Sequence, residues 1–185
     1  AAGWPLPPVA GPGARLDFAF ARALAAIAQG KPDETRLAMA DLETVGREVV
    51  AIEVAKNEPD PTYRVRPEIF RLEAEGLLAE KRGDLAAAEK HLRQAVELED
   101  GLPVAFGPPT IDLPTHELLG EFLLRRGRKD DARAEFERAL ALAVDHQSRR
   151  TQAGQLAPQV VGVGEPHQIA RHGDGHVADA ESHEV

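Results

Sequence analysis

With 185 residues, a net charge of −9 and no cysteine, the chain is long enough for one domain with a sizeable core, but disulfides, thiolate metal sites and a cysteine nucleophile are excluded. The acidic balance argues against nucleic acid or an anionic membrane surface as partner, and no apolar run reaches the ~18 residues of a membrane-inserting helix. Hydrophobic residues make up 43 % but aromatics only 4 %, so Ala and Leu must do most of the packing, which favours closely spaced helices over a sheet.

Residues 1–13 carry four prolines and three glycines and read as an irregular lead-in, on which Trp4 can still pack against the first helix. From Ala14 to about Ala28, Leu16, Ala19, Phe20, Ala23, Leu24 and Ile27 recur with helical period, and Gly30 is placed to end the helix. Pro32 opens a second helix to about Lys56, with Leu37, Ala38, Leu42, Val45, Val49 and Ile52 on one face. The stretch 57–67 breaks helix, with Pro61 or Pro67 suited to the first turn of a third helix that ends at Arg82. Gly83-Asp84 turns the chain into a fourth, Leu85–Glu99, with Leu85, Ala88, Leu92, Ala95 and Val96 inward. A loop over 100–112 contains Gly107-Pro108-Pro109. The fifth helix runs from near Pro114 to Gly127, and the sixth from about Lys129 to Ala143 through Ala132, Phe136, Ala139 and Leu140. After Val144 the apolar period disappears, and 145–185 read as a disordered tail containing His167, His172, His176 and His183.

Gly76, Gly83, Ala88 and Ala95 recur 44 residues later as Gly120, Gly127, Ala132 and Ala139. Small residues at these spacings suit a helix–turn–helix hairpin with closely approaching helices, and repetition on this scale marks a stacked array. The residues resemble the tetratricopeptide repeat: Gly76, Gly83, Ala88, Leu92 and Ala95 fit one unit, Gly120, Gly127, Ala132, Phe136 and Ala139 the next. Ala21, Gly30, Thr35, Met39 and Leu42 fit a weaker third. The aromatics usual on the first helix of such a unit are replaced by Leu72 and His116, and the units are 53 and 44 residues apart because long connections intervene. The stretch from Ala95 to Ala143 also resembles the C-terminal region of bacterial tetratricopeptide-repeat proteins, often exported and mostly without assigned activity.

The resemblance implies an all-α fold over 14–144, about six antiparallel helices forming three stacked hairpins in a short right-handed superhelix. It also implies a non-catalytic scaffold that binds a protein or peptide in its concave groove. The groove positions carried over are Phe18 and Arg22 on the first helix, Phe70, Glu73, Leu77 and Glu80 on the third, and Glu117, Glu121 and Leu124 on the fifth. The Lys and Asn residues with which some members clamp a C-terminal carboxylate are missing. The glutamates point instead to a basic, partly apolar partner segment. The alternative is a terminal structural portion of a larger array whose functional site lies outside this chain.

Catalytic chemistry has little to draw on, and no cofactor is expected. His116-Glu117-Leu118-Leu119-Gly120 begins like a zinc-protease helix, but Gly120 replaces the second imidazole, so no metal is assigned there. Ser148 and Ser182 are the only serines. The glycine pairs 11/13, 162/164 and 173/175 lack the strand and helix that flank a phosphate-binding loop. The tail histidines can at most chelate divalent metal weakly.

Overall fold

A computed structural model describes residues 11–103 and 114–156; within them the chain is all-α, with six helices and no strand. They are α1 (Pro12–Gln29), α2 (Pro32–Val54), α3 (Pro61–Arg82), α4 (Leu85–Asp100), α5 (Thr115–Arg125) and α6 (Lys129–Leu156).

The helix boundaries follow local chemistry. Proline occupies the first turn of α1, α2 and α3, where no amide donor is needed. Pro61 takes that place in α3, and Pro67 is carried inside the helix, buried against Gly46 of α2. Asp60 and Asp84 cap α3 and α4 by accepting from the backbone amides of Thr62 (2.8 Å) and Ala87 (3.0 Å). Gly30, Gly83 and Gly127 take left-handed φ values of 66°, 83° and 75° in the turns after α1, α3 and α5, a conformation that residues with a Cβ rarely adopt. α5 has no cap of its own side chains. Glu99 of α4 supplies one by accepting from the Thr115 amide at 2.8 Å.

Each of α1, α3 and α5 packs on the helix that follows it, and α3 also meets α1 and α2, while α5 meets α4. Two apolar clusters result. One joins α1, α2 and α3 around Leu16, Phe20, Leu42, Val45, Ile69 and Phe70. The other joins α4, α5 and α6 around Leu92, Val96, Leu119, Phe122 and Leu123, and Leu77 of α3 touches both.

Four apolar residues expected inward are exposed instead: Leu37, Ile52, Leu85 and Leu140. The buried stripe of α2 runs through Thr35, Ala38, Leu42, Val45 and Val49, with Leu37 off it and Ile52 displaced at its end by the buried Glu53. Leu85 sits in the first turn of α4, off the buried stripe of Ala88, Leu92, Ala95 and Val96. α6 extends to Leu156, past the end expected at Ala143. The lead-in 1–10, Gly107-Pro108-Pro109 and the four tail histidines lie outside the described residues.

Candidate interaction surface

The predicted groove residues do not form one open surface. Phe70 is buried, stacked on Phe20 of α1 with centroids 4.1 Å apart and covered by the Arg66 guanidinium 4.8 Å from its ring. Glu73 is buried as well: its Oε1 accepts from the Thr115 hydroxyl at 2.7 Å, and its Oε2 has no hydrogen-bond partner. Helix register placed both on the face that α1 and α5 cover, so they connect helices and cannot line a groove. Arg22 turns to α2, where it pairs with Asp41 at 3.0 Å.

Glu80 binds across to α5. Arg125 reaches both its oxygens (2.9 and 2.8 Å), and Arg126 adds a bond at 3.0 Å. Burial alone would raise the Glu80 carboxyl, but the two guanidinium groups hold it below the ordinary glutamate range. Glu121 shares Arg125 at 3.3 Å, and both Glu121 and Glu117 are exposed on α5. Phe18 and Leu77 are half-buried. The α3–α5 surface is therefore a mixed-charge patch of Glu80, Arg125, Arg126 and Glu121.

Beneath that patch four helices meet in a polar cluster that sequence reasoning missed. Burial pushes the Glu73 carboxyl up to about 8. The Thr115 bond and Arg66 oppose that shift, while the Glu99 carboxylate adds to it. Burial likewise raises Glu99, against the Thr115 bonds. His116 is fully buried, its Nδ1 2.7 Å from Glu135 of α6 and its Nε2 3.0 Å from Asp100 of α4. Burial would lower the imidazole, yet the two carboxylates outweigh it and raise it. With a carboxylate on each ring nitrogen, the doubly protonated ring satisfies both. Both of its nitrogens are thus engaged in tying α5 to α4 and α6, and among the described residues no group of three or more His, Cys, Asp or Glu is placed to hold a metal ion. The only sequence signal was polar residues, Glu73 and His116, at positions where helical period called for apolar ones.

Leu124 faces elsewhere. With Ala132, Phe136 and Leu140 it forms the floor of an open groove of about 340 Å³ between α5 and α6, edged by Lys129, Arg133 and Glu137. No helix of the described residues is long and apolar enough to cross a membrane.

Compared with protein-family models, curated proteins and solved structures, the chain matches none.

Proposed function

We propose that the chain is a non-catalytic protein-interaction module, its helices forming three stacked tetratricopeptide-like hairpins in a short right-handed superhelix. The observation that carries this reading is a repeated close approach. Gly76 admits Leu92 between α3 and α4, and Gly120 admits Phe136 between α5 and α6, in the same 44-residue register. Left-handed glycines turn each pair, and the order in which the helices pack, each pair joined to the next through its first helix, suits stacking.

The partner surface in this reading is narrower than the sequence implied. Half-buried Leu77 and exposed Glu117 and Glu121 are what it offers a basic, partly apolar peptide, while Leu124 lies apart on the α5–α6 groove. Lys/Leu-containing peptides labelled with a fluorophore are expected to bind the full chain. The double variant Glu117→Lys/Glu121→Lys should bind about tenfold more weakly, with little change in melting temperature. Equal anisotropy curves for both proteins would remove the groove assignment.

A second reading, a terminal portion of a larger array, is favoured by one observation. Leu124 and Leu140 are exposed where a further helix would pack.

A further inference from the structure

Leu140 is 65 % exposed, whereas Val96, its counterpart 44 residues earlier, is 8 % exposed. The difference is a covering helix. α5 lies on α4 and brings Leu118, Leu119 and Phe122 into one core with Ala88, Leu92 and Val96. Among the described residues α6 packs extensively on α5 alone. The face of α5 and α6 thus repeats an internal, helix-receiving face, and leaves it open.

Its chemistry is altered in one direction. Glu80, Glu89 and Asp100 receive Arg125, Arg128 and His116 across the internal interface. Forty-four residues on, they are replaced by Leu124, Arg133 and Val144. A helix and turn like α5 and its Arg128 would therefore meet a like charge at Arg133, so a larger array could continue on this face only through a unit of different edge charge. What it offers is an apolar stripe, Phe136 and Leu140 with Leu124 beside them. Its edge carries opposite charges one turn apart, Arg133 and Glu137, now paired at 2.7 Å.

We propose that this face pairs with itself, so that two copies of the chain associate about a two-fold axis, α6 against α6. A two-fold contact requires a patch complementary to its own copy. Two α6 helices running antiparallel about Phe136 set each Leu140 over Ala132 of the second copy, large against small. The same register brings each Arg133 within reach of Glu137 of the second copy, and the groove is filled by apolar side chains from across the axis. The opposite charges at the edge favour this occupant, because an antiparallel copy presents the same two charges in reverse order.

Sedimentation velocity of the full chain, from low to high micromolar concentration, tests the proposal. The expected species is a dimer of about 40 kDa, twice the 20.0 kDa chain. Leu140→Glu should weaken association at least about tenfold with an unchanged circular dichroism spectrum, since the residue is exposed, while Ile52→Glu on α2 should leave the dimer intact. Arg133→Glu and Glu137→Arg should each weaken the dimer by placing like charges across the axis, and mixing the two variants should restore it as a heterodimer. Several outcomes would overturn the pairing: a monomer throughout, a Leu140→Glu protein that still dimerises, a ladder of larger species from head-to-tail contacts, or a mixture that fails to re-associate.

Discussion

Gly76 lies so close beneath Leu92 that a Cβ at that position would stand 2.9 Å from Leu92 Cγ. Its counterpart, Gly120, would put a Cβ 2.8 Å from the Phe136 ring. The contacts repeat, but what can give way differs. Leu92 is fully buried and is met near its backbone, whereas Phe136 is half-exposed beside the open groove. Gly76→Ala is expected to destabilise by about 1–3 kcal/mol through overpacking, reduced by up to ~1 kcal/mol of gained helix propensity. Gly120→Ala should be nearly neutral because the ring can swing into the groove. Urea midpoints of the two variants compare them directly, and an equal loss would mean that Phe136 is as confined as Leu92.

The turn glycines and the first-turn Pro32 were legible in the sequence because left-handed φ and a missing amide are local properties, whereas α1 starts at Pro12, inside the stretch expected to be an irregular lead-in. The apolar stripes of α1 and, Leu85 apart, of α4 were legible for the same reason, since period 3.6 needs no knowledge of neighbours. Burial of Phe70 and Glu73 was not. It depends on Phe20, fifty residues away in sequence, and on Thr115, forty-two away, and no local pattern announces such meetings. Leu140 failed in the opposite sense: its spacing marks an apolar stripe correctly, but only tertiary structure tells whether a helix covers it.

Stability is expected to fall as pH rises from about 5 to about 8. Glu73 has an ordinary value of 4.5 and a folded value of about 8. Below 4.5 both states hold the proton and nothing is lost. Between the two values the unfolded chain ionises freely and the folded one does not, so stability declines. His116, raised above 6.5, adds to the same trend, since its ion pairs are complete below 6.5 and are lost as pH rises through the folded value. Further down, Glu80 and Glu89, both held low, lose their arginine bonds as pH drops through their folded values. Chemical denaturation across this range should therefore find a maximum near pH 5. Glu73→Gln, which keeps an acceptor for Thr115, should remove the largest part of the decline, on the order of 3 kcal/mol. A slope unchanged by that substitution would contradict a buried, proton-holding Glu73.

Glu80 should matter more to the α3–α5 contact than either arginine. Removing Arg125 leaves Arg126 on the same carboxylate, so Arg125→Ala is expected to cost under about 1 kcal/mol. Glu80→Ala removes both charge-assisted links at once and should cost about 1–2 kcal/mol. A double-mutant cycle on Glu80 and Arg125 should give a coupling that shrinks in molar salt, because the arginines are solvent-accessible. A salt-independent coupling would place the pair in a drier setting than its exposure implies.

Arg66 offers a contrast, because it is a buried guanidinium whose desolvation opposes its ion pair. It bonds Asp17 of α1 and covers Phe70, yet its Nε is buried without a partner. Desolvating a cation is costly, and one ion pair with a half-exposed carboxylate offsets that only in part. Arg66→Met retains the stem over the Phe20–Phe70 stack and removes the unpaired donor, so it should be neutral or stabilising. Asp17→Asn leaves the cation buried with a weaker partner and should destabilise by about 1–3 kcal/mol. Thermal melts of the two variants would therefore move in opposite directions or differ clearly. If both lost the same amount, the Arg66–Asp17 pair itself, rather than packing over Phe70, would be what fastens α1 to α3.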